Sequence, residues 1–258
     1  MILESSRREK VLTVTMNSPV NRNALGPDLV AGLKMSLASA AEDDGVRAIV
    51  LTGAGTAFSA GADLSALEDL QNASLMENQA DSASLAELFR AIYLHPKPII
   101  AKVNGHAIAG GCGLASVCDL SIAASGVKMG FTEVRIGFVP AIVMVFVLRK
   151  LGEGAARNLL LRGNLITSDE AVGIGLISEC VSADQLDARI DHITREMVAN
   201  TSASALALTK GMIGRVPGMG FDEAIAYAIQ MNAFARGTDD CKAGISAFLR
   251  KTNPPWKQ

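Results

Sequence analysis

The stretch GHAIAGGCGLASVCD, residues 105–119, places four glycines where a strand pattern changes into a helical one. Each Gly used instead of Ala inside a helix costs roughly 0.5–1 kcal/mol. A turn that tolerates this cost needs a bare backbone there. We therefore expect the main chain itself, rather than a side chain, to be the functional part of this turn.

Three functions use a glycine-rich turn between a strand and a helix. A dinucleotide-binding turn requires G-x-G-x-x-G, but GCGLAS has Ser116 in place of the third glycine. A phosphate-binding loop requires Lys followed by Ser or Thr, and no Lys follows here. An oxyanion-binding turn requires only an exposed N–H at a helix N-terminus, with no Cβ to obstruct the approach. The pattern favours this third function.

A second turn of small residues follows another predicted strand in AFSAGADLSAL, residues 57–67. Ala60, Gly61 and Ala62 leave their amides uncovered, and Asp63 is placed to cap a helix that follows. An oxyanion site commonly uses two donors. We expect the two turns to converge on one carbonyl oxygen.

The rest of the chain alternates strand and helix patterns, which predicts an α/β fold. KVLTVTMN has the two-residue period of a strand, and a helix is predicted from Pro27 with a stripe of Leu29, Leu33 and Leu37. Polar residues 71–84 predict a loop or a frayed helix. Further strands are predicted in VRAIVLTGAG, PIIAKVNGHA, CDLSIAAS, KMGFTEV and GLISECVS, and only helices beyond about residue 183.

Composition excludes several classes of protein. The 258 residues are 49% hydrophobic and 4% aromatic with a net charge of −2, which argues against a nucleic-acid partner. The N-terminus lacks a signal-peptide pattern, and the longest apolar run, 13 residues including Pro140, is too short to span a membrane. The four cysteines lack metal-site spacing. We expect a cytoplasmic protein with free thiols, without a metal and without a membrane partner.

The segments MNSPVNRNAL, FSAGADL, NGHAIAGGCGLASVCDLSIA and FTEVRIGFVP resemble, in order and spacing, the signature segments of the crotonase superfamily, the enoyl-CoA hydratase/isomerase family. The resemblance extends from about residue 8 to AFLRK near the end of the chain. The patterns GG-x-GL and EVRIG-x-x-PA are similar to those of bacterial methylglutaconyl-CoA hydratase-like members.

The resemblance implies a crotonase-like ββα spiral core over residues 1–195 and a helical C-terminal trimerisation region over residues 196–258. It also implies a homotrimer or a dimer of trimers. The implied substrate is an acyl-CoA thioester whose carbonyl oxygen lies between the backbone amides of Ala62 and Gly110. Coenzyme A is then part of the substrate, and no separate cofactor is implied.

Hydratases of this family carry two glutamates, and this chain departs from that pattern. The later glutamate matches Glu133 in FTEVRIG, but Gly113 stands where the earlier one would be. Glu133 would then act as both base and acid, or ordered water and backbone groups would fill the gap. Gly113 is instead a candidate for close packing of a helix on a sheet.

The single glutamate leaves several activities open. The similarity of FVPAIV to the hydratase-like pattern favours reversible addition of water to a 2-enoyl-CoA, with Glu133 as the acid/base. One base also suits a Δ3-Δ2-enoyl-CoA isomerase. A decarboxylase that needs only the oxyanion site, or a non-catalytic protein that binds acyl-CoA, is also compatible with the residues.

The resemblance carries over further binding positions. Ala24 and Leu25 match the segment at the nucleotide end of coenzyme A, and Ala60, Asp63 and Leu64 lie along the oxyanion segment. Near the C-terminus, Phe248 and Lys251 match residues that reach the coenzyme A of a neighbouring subunit. A Lys at that place is suited to a phosphate.

Overall fold

The fold is described from a computed structural model, which covers residues 2–63, 68 and 70–257. Ten strands lie within these ranges, and all of the strand segments predicted from the sequence contain one. KMGFTEV is a strand only over its first three residues. The strands are β1 Leu3–Arg8, β2 Val11–Met16, β3 Ala48–Gly53, β4 Ala57–Ser59, β5 Ile99–Val103, β6 His106–Ile108, β7 Leu120–Ala124, β8 Lys128–Gly130, β9 Ile166–Thr167 and β10 Glu179–Val181.

The α-helices are α1 Pro27–Glu42, α2 Leu75–Tyr93, α3 Gly110–Val117, α4 Ala141–Arg162, α5 Ser168–Gly173, α6 Leu186–Asn200, α7 Ala203–Arg215, α8 Phe221–Gly237 and α9 Asp239–Leu249. Helix α4 is interrupted at Gly152, where the backbone has a φ of 69°. Short 3₁₀ turns occupy Pro19–Asn21, Leu70–Asn72, Glu133–Ile136 and Val216–Gly218.

Two sheets organise the described strands. The larger sheet has the order β1-β2-β3-β5-β7-β10 and is parallel except for the β1–β2 pair. The smaller sheet has the order β4-β6-β8-β9, in which β4, β6 and β8 run parallel. Since strands of the two sheets alternate with helices along the chain, the predicted α/β class is confirmed.

Helix α1 forms as the sequence predicts. Pro27 is its first residue, a position at which a backbone N–H would have no acceptor within the helix. Leu29, Leu33 and Leu37 are all buried. The three leucines belong to the same core cluster as strand β3, each residue of which is buried. The core therefore fixes the strands whose ends carry the site.

Residues 75–84 form the start of helix α2 rather than a loop. Ser74 accepts a hydrogen bond from the Glu77 N–H, and the Glu77 carboxylate accepts one from the Ser74 N–H at 2.7 Å. This reciprocal cap satisfies backbone donors that a polar first turn would leave exposed. The cap explains how so polar a segment begins a helix.

The C-terminal part of the described chain is helical after β10. Helix α6 packs against β3, β5 and β7, whereas α7, α8 and α9 pack against one another. The division predicted between residues 195 and 196 falls inside α6 and stays a prediction. None of the described helices combines the length and the hydropathy that a membrane crossing requires.

Candidate active site

Three neighbouring parallel strands deliver the groups of the candidate site. Strand β4 ends three residues before Ala62, β6 ends two residues before Gly110, and β8 ends three residues before Glu133. The carboxyl ends of adjacent parallel strands lie at the same edge of a sheet, where ligands commonly bind. The topology therefore brings all three predicted groups to one edge, although they are far apart in sequence.

The amides of Ala62 and Gly110 lie close to each other. A Cβ built on Gly110 would lie 3.8 Å from the Ala62 nitrogen. The two nitrogens are therefore at most about 6 Å apart by standard bond geometry, and an N–H donor lies about 3 Å from its acceptor. Within the described ranges neither amide has an acceptor.

The chain enters helix α3 through a strained residue. Ala109 has φ 51° and ψ −124°, a region that residues other than glycine rarely occupy and that costs of order 1–3 kcal/mol. Its N–H donates to the Gly130 carbonyl at 2.7 Å, which ties the entrance of α3 to the end of β8. This conformation leaves the Gly110 N–H at the N-terminus of α3, where the helix dipole favours negative charge.

Glu133 is a buried carboxylic acid at the same edge of the sheet as these amides. It begins the 3₁₀ turn after β8, the residue is 8% exposed, and its Oε2 is buried without a hydrogen-bond partner in the described structure. Burial raises the pKa of Glu133, and a hydrogen bond from its own backbone N–H offsets this in part. A carboxyl group with a raised pKa and an unused oxygen is suited to accept and return a proton.

The glycines of α3 have different uses. A Cβ on Gly111 would overlap the Ser59 carbonyl, so Gly111 allows the helix to approach strand β4. A Cβ on Gly113 would instead overlap Val143 of α4 and lie 3.0 Å from Phe89 Cε1 of α2. The prediction that Gly113 packs a helix on a sheet is thus wrong, because its neighbours lie on helices, and Gly111 makes the contact with the strand.

Cys112 is the thiol next to these glycines in the sequence. Cys112 follows Gly111 directly and is fully buried, and burial raises the pKa of its thiol to about 12. A neutral buried thiol is a poor nucleophile. Among the described residues, no group of three or more His, Cys, Asp or Glu side chains could hold a metal ion.

The predicted binding residues fall into two groups. Leu25 is bridged to Ala62, with its Cδ1 3.4 Å from where a Gly110 Cβ would be, and the Ala60 N–H donates to the Arg22 carbonyl at 2.9 Å. Half-buried Ala24 precedes Leu25. The Asp63 carboxylate lies 3.3 Å from where a Cβ on Gly26 would be.

Of the remaining predicted binding residues, two lie in the C-terminal helical region and one is not described. Leu64 lies outside the described residues. Phe248 is 83% exposed on α9, which packs against α7 and α8, and Lys251 is exposed two residues beyond that helix. A contact of these two residues with a neighbouring subunit stays a prediction.

Sequence reasoning missed two polar residues beneath the amides. Asn23 and Ser59 are both completely buried, and the Ser59 hydroxyl donates to the Asn23 carbonyl at 2.8 Å. The Asn23 amide group donates to the carbonyls of Ala54 and Ala57 at 3.0 and 2.9 Å. In the sequence, Ser59 is recognisable only as a polar residue between apolar Phe58 and Ala60, and this pattern does not reveal its hydrogen-bond partners.

Fold and site together place two backbone amides without acceptors and a buried carboxylic acid at one edge of a parallel sheet. The family model for enoyl-CoA hydratase/isomerase matches residues 6–258. The chain belongs to this family.

Individual relatives cover nearly the whole chain. A curated Thermus thermophilus protein assigned to enoyl-CoA hydratase is 43% identical over 244 residues, which are 95% of this chain and 96% of that protein. Crotonyl-CoA hydratase of Syntrophomonas wolfei is 36% identical, with 97% and 95% covered. The crystal structure of a Mycobacterium smegmatis enoyl-CoA hydratase is 32% identical and superposes with a TM-score of 0.93, with both chains covered completely. The predicted crotonase-like fold is confirmed.

Proposed function

We propose that this protein is a lyase that adds water reversibly to a 2-enoyl-CoA thioester. The single observation that carries the proposal is the buried Glu133 carboxyl group, with one unpartnered oxygen, at the same sheet edge as the free amides of Ala62 and Gly110. The crotonyl-CoA hydratase and short-chain-enoyl-CoA hydratase names among its relatives support the same reaction.

The two amides would stabilise the enolate. When the oxygen of water bonds to C3 of the enoyl group, the electrons of the double bond move through C2 to the thioester oxygen. The N–H groups of Ala62 and Gly110 donate to that oxygen as its charge develops. Removing one such donor costs roughly 2.7–4 kcal/mol in known acyl-transfer sites.

Glu133 would move the proton. As a carboxylate it takes one proton from the attacking water, and as a carboxylic acid it returns that proton to C2, while the hydroxyl stays on C3. The enolate collapses to the thioester and Glu133 is a carboxylate again. One group can serve both steps because its raised pKa brings the two protonation states closer in free energy at neutral pH.

Recognition of the substrate needs no group beyond the chain and coenzyme A in this proposal. Ala24, Leu25, Ala60 and Asp63 would line the approach to the amides. Phe248 and Lys251 contact the coenzyme A of a neighbouring subunit. A cytoplasmic location and the lack of a separate cofactor stay predictions.

Exposed apolar residues on the C-terminal helices support self-association as a homotrimer or a dimer of trimers. Helices α8 and α9 expose large apolar side chains to solvent. These are Phe221, Ile225, Ile229, Phe234, Ile245, Phe248 and Leu249. Patches of this kind mark protein–protein interfaces. Light scattering on the protein as it elutes from a size-exclusion column should give a mass of three or six times 26.9 kDa. A monomer mass would refute the proposed self-association.

The test of the activity is chemical. The purified protein is mixed with crotonyl-CoA, the loss of the conjugated-thioester absorbance is followed, and the product is weighed by mass spectrometry. A hydratase gives a product one water molecule heavier. Loss of absorbance without that gain in mass, or no turnover of any short 2-enoyl-CoA, would refute the proposal.

The isomerase alternative rests on Gly113 standing in place of the first of the family's two glutamates, and it is tested in parallel. A Δ3-Δ2-enoyl-CoA isomerase would convert a 3-enoyl-CoA into the conjugated isomer of unchanged mass. Faster turnover of the 3-enoyl-CoA than of crotonyl-CoA would favour this alternative.

A further inference from the structure

Ser59 is the last residue of strand β4 and is fully buried beneath the site. Its hydroxyl donates to the Asn23 carbonyl at 2.8 Å and accepts the Gly61 N–H at 3.2 Å. The hydroxyl is therefore fixed from both sides. It restrains the peptide unit that joins Ala60 to Gly61.

The next peptide unit carries the Ala62 amide. The Gly61 carbonyl accepts the Leu25 N–H at 2.7 Å, and a trans peptide is planar with its C=O and N–H pointing in opposite directions. Holding the Gly61 carbonyl therefore aims the Ala62 N–H away from Leu25. The two peptide units on either side of Gly61 are both hydrogen-bonded, and only one of these bonds comes from a side chain.

Gly61 needs that restraint because glycine has wide conformational freedom. Its φ is +90°, a value that other residues rarely adopt. A Cβ on Gly61 would lie 3.1 Å from the Gly110 nitrogen and 2.9 Å from the Ala109 Cβ. Rotation about Gly61 would therefore change the spacing of both amides.

Ser59 also supports the second amide. A Cβ on Gly111 would lie 2.7 Å from the Ser59 Cβ and would overlap its carbonyl oxygen, so the first turn of α3 rests on this residue. One buried serine thus contacts both oxyanion segments, through its hydroxyl on one side and through its main chain and Cβ on the other.

We infer that Ser59 is a positioning residue that holds the Ala62 and Gly110 amides at the spacing of one enolate oxygen. The inference rests on the proposed function. It differs from a merely structural role because the hydroxyl acts on Gly61, whose two peptide units set the direction of a donor.

Ser59→Ala removes the hydroxyl and leaves the packing against Gly111. Ser121→Ala is the matched control, since Ser121 is also fully buried on a strand and its hydroxyl donates to the Ala115 carbonyl at 2.6 Å. Loss of a whole oxyanion donor costs about 10²–10³ in kcat, so misalignment of one predicts roughly a tenfold fall in kcat for Ser59→Ala. KM should change less than twofold, and Ser121→Ala should keep the wild-type kcat.

A second readout avoids turnover. Bound acetoacetyl-CoA ionises to an enolate with its own near-ultraviolet band, and the intensity of that band reports how well the site stabilises the charge. Ser59→Ala should weaken the band at saturating ligand, whereas Ser121→Ala should not. If the wild-type protein shows the band but does not hydrate crotonyl-CoA, the proposed function fails while the role of Ser59 is still tested.

Ser59→Cys covers the case in which the Ala variant does not fold. Sulfur is a weaker hydrogen-bond partner than a hydroxyl, so the Cys variant should lie between wild type and Ala in kcat and in enolate band. A Ser59→Ala variant with kcat and enolate band both within twofold of wild type would overturn the inference. So would a failure of both variants to fold, since Ser59 would then support the core rather than the site.

Discussion

Val143 of α4 occupies the space into which a side chain on Gly113 of α3 would extend. A methyl group on Gly113 would overlap Val143 Cγ1 and would lie 3.0 Å from Phe89 Cε1. Gly113 is the position at which the family resemblance implies a second glutamate. In this chain two apolar side chains close that place, so the absence of the second acid is built into the packing of three helices.

We expect Gly113→Ala to lower the free energy of unfolding by roughly 1–3 kcal/mol, because adding a methylene-sized group to a well-packed contact forces neighbours aside. Gly154→Ala is the control, since a Cβ at Gly154 meets no atom within 4 Å. Replacing Gly154 reduces the backbone freedom of the unfolded chain, so the free energy of unfolding should be unchanged or slightly higher. Urea denaturation of both variants gives the comparison. Equal stabilities would show that the contact with Val143 is loose.

Lys150 is expected to stabilise the end of the helix that begins at the site. Its Nζ donates to the Ser116 carbonyl at 2.7 Å, at the C-terminus of α3, and burial lowers the pKa of this ammonium group. Lys150→Met leaves that buried carbonyl unsatisfied, which should cost about 1–3 kcal/mol of unfolding free energy. Lys242→Met, at an exposed lysine of α9, should change stability by less than about 0.5 kcal/mol. A Lys150→Met protein as stable as the Lys242 variant would contradict this.

His95 should make stability fall in mild acid. It is 5% exposed, its Nδ1 accepts the Lys97 N–H at 3.0 Å, and its Nε2 lies 3.0 Å from the Leu37 carbonyl. Burial lowers the pKa of His95, so the folded protein holds it neutral while the unfolded chain protonates it at about pH 6.5. The contribution of neutral His95 to the free energy of unfolding is therefore complete above that pH. It is lost as the pH falls towards the pKa in the folded state, and the free energy of unfolding falls by up to about 1.4 kcal/mol per pH unit.

Unfolding free energies measured between pH 7 and pH 5 test this expectation. His95→Gln should show a flatter pH dependence than wild type, whereas His192→Gln, at an exposed histidine of α6, should not. Parallel curves for wild type and the His95 variant would exclude His95 as the titrating group.

The acid limb of the pH–rate profile should reflect Glu133. Burial raises the pKa of this group above its ordinary value of 4.5, and the carboxylate is the form that accepts a proton from water. The kcat/KM for crotonyl-CoA should therefore decline on the acid side with an apparent pKa above 4.5. A limb at or below that value would assign the titration to another group.

Local patterns were sufficient for the elements that depend on local chemistry. Pro27 and the leucine stripe of α1 follow from position and period, and the Ser74–Glu77 cap of α2 is a local signal that could have been recognised in the sequence. The hydrogen bond between Ser59 and Asn23 spans 36 residues. The contact of Val143 with Gly113 likewise joins two different helices. Neither contact can be recognised from a repeating pattern of residues in the sequence.

In the proposed reaction, Glu133 moves the proton while two backbone amides hold the enolate. Steady-state hydration of crotonyl-CoA by Glu133→Gln tests this most directly, with Glu42→Gln at the exposed end of α1 as the control. Because burial disfavours the charged carboxylate, the neutral amide should keep or raise the free energy of unfolding at pH 7, so lost activity would not reflect lost folding. We expect a kcat at least about 100-fold lower for Glu133→Gln, acyl-CoA affinity within a few fold of wild type, and full activity for Glu42→Gln. A Glu133→Gln protein that hydrates crotonyl-CoA at the wild-type rate would contradict it.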